Sequence, residues 1–148
     1  MWRRKLMPFL HNDLGHRVYD PAEDEKKNLT DEEAAHFRDW KETDVDRFRR
    51  VVRKIIQYDL DIVENKADYV ICCLSGDGAA LSSGGTSAEL TFAQRRGIPV
   101  YLVTDAPLGE ISGWMLACAD RVFANVDDLK KFLLDRYGKE KQAPLWRV

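Results

Sequence analysis

The sequence predicts an α/β fold: a single domain over residues 1–148 on a doubly wound parallel sheet of four to five strands, with helices on both faces. Three features point to it. Tyr69-Val70-Ile71-Cys72-Cys73-Leu74 is an unbroken apolar run, as a strand buried on both faces requires. A glycine-rich stretch, a helix and a second apolar run from Pro99 to Val103 follow it, which is the βαβ unit of a parallel sheet. Helical and extended patterns alternate along the rest of the chain, and right-handed crossovers then give a flavodoxin-like or Rossmann-like winding.

Taken in order, Trp2, Leu6, Phe9 and Leu10 recur at helical spacing, and Asn12-Asp13-Leu14-Gly15 stops that helix. His16-Arg17-Val18-Tyr19-Asp20-Pro21 reads as a short strand. After the polar stretch from Ala22 to Lys27, Thr30 stands three residues before Glu33, a capping box that opens a short helix through Trp40. Thr43 or Asp44 caps a long helix to about Lys66, with Val52, Ile55, Ile56, Ile62 and Val63 as its buried stripe. Tyr69 to Leu74 is expected to be a central strand. The stretch from Ser75 to Gly85, with glycines at 76, 78, 84 and 85, is expected to be irregular, and the helix from Thr86 to Arg96 ends at Gly97. Ile111 to Ala119 reads as helix, Arg121-Val122-Phe123 as a short strand and Val126 to Tyr137 as an amphipathic closing helix. Such a domain ordinarily begins with a buried strand, whereas this chain opens on the helix at Trp2. The first strand is therefore expected to be missing, its place left to an upstream segment, to Pro144-Leu145-Trp146-Arg147-Val148 or to another subunit.

At 45% hydrophobic and 32% charged the composition is that of an ordinary soluble protein, and 23 basic against 25 acidic residues favour neither nucleic acid nor a membrane surface. The basic clusters Trp2-Arg3-Arg4-Lys5 and Arg47 to Lys54 alternate with apolar residues and read as solvated helix faces. Cys72, Cys73 and Cys118 fit neither a disulfide framework nor paired metal spacing, and read as reduced core residues. His11, His16 and His36 share no ligand spacing, so no metal is expected, and no cofactor either. No apolar run approaches a membrane span, and a cytoplasmic location is expected.

Open α/β sheets bind ligands beyond the carboxyl ends of their strands, which makes the loop after Leu74 the candidate site. Its glycines permit close backbone approach, and the first N–H groups of the helix near Thr86 offer donors to an anion. Neither a P-loop nor a GxGxxG fingerprint is present. Glu89 is a carboxylate just inside this cleft, able to act as a nucleophile or to stabilise a cationic sugar; alternatively Thr86-Ser87-Ala88-Glu89 is a capping box that consumes it. Asp59 falls within the apolar stripe of the long helix, at about 100° per residue, whereas Asp61 points away. A carboxylate there must pair with a cation such as Arg53, accept backbone N–H bonds, or border a cleft. Asp77 and Asp105 read as turn residues.

The residues Gly15-His16-Arg17-Val18-Tyr19-Asp20-Pro21, Asp59-Leu60 before Ala67-Asp68, the strand to Leu74, Gly85-Thr86-Ser87-Ala88-Glu89-Leu90 with Ala93, and Gly97-Ile98-Pro99-Val100 together resemble the nucleoside 2-deoxyribosyltransferase superfamily. That superfamily includes relatives that hydrolyse the N-glycosidic bond of nucleoside 5′-monophosphates. The resemblance runs from about Gly15 to Leu129. It implies that Glu89 is the nucleophile at the sugar C1′ and that Asp59 assists near base and sugar. It also implies substrate contacts from Ser75, Gly76, Ser83, Gly84, Gly85 and Thr86. Where nucleoside-processing members carry an aspartate, this sequence has Ser83, as members acting on 5′-monophosphates do; a hydroxyl tolerates a phosphate that a carboxylate would repel. The loop from Ser75 to Ser83 is longer than the family's, and the opening strand is not present. The resemblance further implies a homodimer or larger homo-oligomer, with Gly113-Trp114-Met115 near a neighbouring site; a core tryptophan is the alternative for Trp114. Rival readings are a non-catalytic nucleotide-binding module, a structural protein whose Glu89 only caps its helix, and a phosphoribohydrolase with a PGGxGTxxE signature, from which the run Ser83 to Glu89 lacks one residue.

Overall fold

A computed structural model describes residues 2–24, 28–75 and 84–141. The chain divides into two compact units, one made of Met1–Val18 with Tyr69–Val148 and the other of Tyr19–Asp68.

The first unit holds the sheet. Strands β1 (Val70–Leu74), β2 (Val100–Thr104) and β3 (Arg121–Phe123) lie in the order β1-β2-β3, all parallel. Val70 is in register with Val100 and Leu74 with Thr104, while Tyr101 to Val103 pair with Arg121 to Phe123. Three strands, not four to five, form the sheet among the described residues. Among the described residues β2, not the strand from Tyr69 to Leu74, is central, and β1 lies at an edge. All five residues of β2 are buried, whereas β1 is only partly so. An apolar run cannot distinguish the two, because being central depends on which chains pair on either side.

Helix α1 (Trp2–Pro8) leads into a π-helical turn (Phe9–Asp13). The change falls after Pro8, whose ring and missing N–H disturb the regular ladder. Gly15, at φ 68°, ends the segment, and the His16 N–H donates back to the Leu10 carbonyl at 2.8 Å. Leu6, Leu10 and Leu14 pack with Tyr101 and Val103 of β2 and with Leu129 and Leu133 of the last helix, α8 (Val126–Lys141). Side chains alternate along a strand, so Val100 and Leu102 point to the other face, and α6 (Gly84–Arg95) packs against β1 and β2. Helix α6 closes at Gly97 (φ 70°), where the Ile98 N–H reaches the Ala93 carbonyl at 2.9 Å, as the glycine position led us to expect. After β2 come a 3₁₀ turn (Leu108–Glu110) and α7 (Gly113–Cys118), which lies within the helix expected from Ile111 to Ala119. Helix α8 (Val126–Lys141) begins on Asn125, whose Oδ1 accepts from the Asp128 N–H at 2.8 Å.

The second unit is helical: α2 (Pro21–Asp24), α3 (Asp31–His36), α4 (Trp40–Thr43) and α5 (Val45–Asn65). The expected capping box forms in full at the start of α3, and Asp44 caps α5 by accepting from the Arg47 N–H at 3.0 Å. The helix expected to run through Trp40 is instead interrupted by a turn after His36. Val51 and Val63 are the buried residues of α5, and Ile56, expected in its stripe, is 49% exposed. The basic face of α5 is not simply solvated. Lys54 pairs with Glu33 at 2.7 Å, and Arg47 pairs with Glu32 at 2.9 Å while lying 3.6 Å over the Trp40 ring.

The strand expected at His16 to Pro21 is absent. Residues 15–20 have no regular structure and belong to no ladder, and a strand exists only through its pairing. The Asp20 carbonyl instead accepts from the N–H groups of Glu23 and Asp24, and Pro21 opens α2 with the φ a first helical residue needs. Among the described residues no helix is long and apolar enough to cross a membrane.

Candidate functional site

The carboxyl end of β1 leads through Ser75, which is exposed, towards α6. Gly76 and Ser83, expected as ligand contacts, and the turn residue Asp77 lie outside the described residues, as does the segment Pro144 to Val148. Gly84 and Gly85 are described, and they correct the sequence reading: they are the first two residues of α6, not part of an irregular loop. Both are exposed, so their position at the helix start keeps the donor role open to their N–H groups.

This start also bears on Glu89. Thr86 is the third residue of α6, so a capping box with Thr86 at the cap position does not match where the helix begins. Glu89 is the sixth residue, half-buried, and its side of α6 lies towards β1. The neighbouring strand registers its charge. Burial pushes the Cys72 thiol up to about 11, and the Glu89 carboxylate adds to that rise. Cys73, on the other face of β1, is lifted to about 12 by burial and then by Cys72, against a smaller opposite pull from Arg3. All three cysteines are free thiols, with Cys72 and Cys118 buried.

Helix α7 packs against α6, and the Trp114 side chain adds a hydrogen bond between them. The Trp114 Nε1–H donates to Thr91 Oγ1 at 2.7 Å, and the Thr91 hydroxyl donates to the Ser87 carbonyl at 2.6 Å. Trp114 is 64% exposed, so the core alternative for it does not hold. Beyond β2, buried Thr104 accepts from the Ala106 N–H at 3.1 Å and shapes the turn at Asp105, which is exposed.

In the helical unit, Asp59 is half-buried on α5, as the helical wheel placed it, and Asp61 is exposed. The expected cation is not Arg53, which is exposed and makes no ion pair among the described residues. The Tyr19 hydroxyl donates to Asp59 Oδ1 at 2.6 Å. Burial, then this bond and the Asp59 charge, push the Tyr19 phenol well above its ordinary value, which keeps it a donor. Sequence reasoning missed Tyr19. The two residues are 40 apart, and nothing local to either marks the pairing.

Elsewhere in the sheet unit, an open cleft of about 240 Å³ is lined by Trp2, Lys5, Asn125, Val126 and Asp127 and contains none of the expected site residues. Among the described residues no cluster of His, Cys, Asp and Glu could hold a metal. Compared with family models, curated proteins and solved structures, the chain finds no match.

Proposed function

We propose that the protein cleaves the N-glycosidic bond of a nucleoside 5′-monophosphate, by hydrolysis or by transfer of the sugar to another base, with Glu89 as nucleophile. The observation that carries the reading is the place of Glu89. It is a half-buried carboxylate on the helix that follows the glycine-rich segment after β1, and that helix starts too early for the glutamate to complete a capping box on Thr86.

The chemistry is that of a retaining glycosidase. The carboxylate attacks C1′, the N-glycosidic bond breaks as the base accepts a proton, and a glycosyl-enzyme ester forms; water or a second base then displaces the carboxylate. Asp59 enters through the resemblance, as the group that orients substrate or handles the proton. Ser75, Gly76, Ser83, Gly84, Gly85 and Thr86 are the phosphate and sugar contacts of this reading, and the N–H groups opening α6 would supply donors to the phosphate. With the same reading go the doubly wound sheet of four to five strands, a cytoplasmic location and a homodimer or larger homo-oligomer with Trp114 at its contact.

A non-catalytic nucleotide-binding module is the second reading, favoured by the edge position of β1 among the described residues. Incubation with a panel of nucleoside 5′-monophosphates, read by chromatography for free base, separates the two. The proposal expects release of base and a loss of at least about 10³-fold in Glu89→Ala. Tight binding of intact nucleotide without turnover selects the binding module, and undiminished turnover in Glu89→Ala rejects the nucleophile.

A further inference from the structure

We propose that Tyr19 is the positioning residue for Asp59, its hydroxyl locking the carboxylate in one orientation through the 2.6 Å bond to Oδ1. The inference rests on the reading of Asp59 given above and deepens it. An aspartate on a helix has a broad, nearly free rotation about its last side-chain bond, so a half-buried carboxylate needs a partner before it can be aimed. A length of 2.6 Å lies in the range of hydroxyl-to-carboxylate bonds with an ionised acceptor, which are about twice as strong as neutral ones.

The donor is itself held. The Tyr19 ring lies against Tyr58, 5.7 Å between centroids, so the residue preceding Asp59 on α5 buttresses the tyrosine that binds Asp59. The backbone after Tyr19 is fixed by the Asp20 carbonyl, which accepts the first two N–H bonds of α2. The hydroxyl stays protonated, because burial and the adjacent carboxylate both oppose its ionisation, with Tyr58 and Asp24 adding to that effect. A phenol also differs from a cation in consequence. It donates a hydrogen bond to the carboxylate and adds no positive charge of its own.

The test is steady-state kinetics on the nucleotide that the wild-type protein turns over. Tyr19→Phe keeps the ring against Tyr58 and removes only the donor; kcat is expected to fall about tenfold, with KM changed by less than about twofold. Incorporating 3-fluorotyrosine at position 19, which restores a hydroxyl, should recover most of that loss, a recovery that ring packing alone would not produce. Arg53→Ala should retain wild-type kcat. Full kcat in Tyr19→Phe while Asp59→Asn and Glu89→Ala are impaired would overturn the positioning role and leave the site intact. A loss confined to KM, or no recovery with fluorotyrosine, overturns it equally. If the wild-type protein releases no base from any nucleotide, the reading of the site fails, and this inference falls with it.

Discussion

In the sheet unit, Leu6, Leu90, Leu102, Leu129 and Leu133 are each no more than 1% exposed, whereas among the described residues of the helical unit only Val51, at 2%, is buried to a comparable degree. The helical unit relies instead on contacts at its surface: the Thr30–Glu33 capping box, the Glu33–Lys54 and Glu32–Arg47 pairs, and the Arg47 guanidinium over Trp40. Burying a leucine side chain stabilises by about 1.5–3 kcal/mol, while exposed ion pairs contribute roughly 0–1 kcal/mol each. Two ways of holding a chain together thus sit in one molecule. One is indifferent to salt and pH; the other depends on both. The proposed nucleophile belongs to the first unit, and the Tyr19–Asp59 pair to the second.

The contrast can be attacked from its strong side first. Leu133→Ala removes a side chain with 0% exposure from the cluster of Leu6, Leu10, Tyr101 and Leu129, and should cost about 2–5 kcal/mol in denaturant unfolding. A cost no larger than that of Ile56→Ala, at a site 49% exposed, would show that this core does not dominate. The thiols probe the same unit chemically. With Cys72 raised from 9.0 to about 11, its reactive thiolate near neutral pH is about a hundredfold scarcer than in an ordinary cysteine. A thiol reagent should therefore label Cys72 only as the protein unfolds. Labelling as fast as that of a free thiol would mean the sheet unit opens readily.

Smaller effects belong to the helical unit. Thr30→Ala deletes the hydroxyl that accepts the Glu33 N–H and should lower stability by about 1 kcal/mol, read as a drop in Tm. The smallest effect is in acid. Lys54 and then the Thr30 backbone hold the Glu33 carboxyl below its ordinary value. A depressed carboxyl contributes stability above its unfolded value and loses it as pH falls through the folded one. Hydrogen exchange followed from about pH 7 to about pH 3 should therefore loosen α3 before β2. Simultaneous loosening would erase the distinction between the units.

Much of the local structure was legible because its causes are local. The capping box at Thr30 and Glu33, Asp44 before α5, Gly97 after α6 and the strand Arg121 to Phe123 each depend on a few neighbouring residues, and each forms where the sequence places it. The two failures of greatest consequence have a common origin. His16 to Pro21 has a strand's composition but no ladder, and Tyr69 to Leu74 has a central strand's composition but, among the described residues, an edge position. Pairing is made by distant segments, and no window of sequence contains it.

The candidate site divides along the same line. Residue chemistry by itself singled out Glu89 and put Asp59 on the inner side of its helix, since both follow from the spacing of residues around them. Tertiary structure alone decided that α6 starts at Gly84, that Trp114 stands exposed on a bond to Thr91, and that Asp59 meets a phenol 40 residues away instead of an arginine on its own helix. The physical reason is range. Backbone preference and side-chain periodicity act within a turn or two, whereas the partner of a half-buried charge is set by whichever segment the folded chain brings beside it.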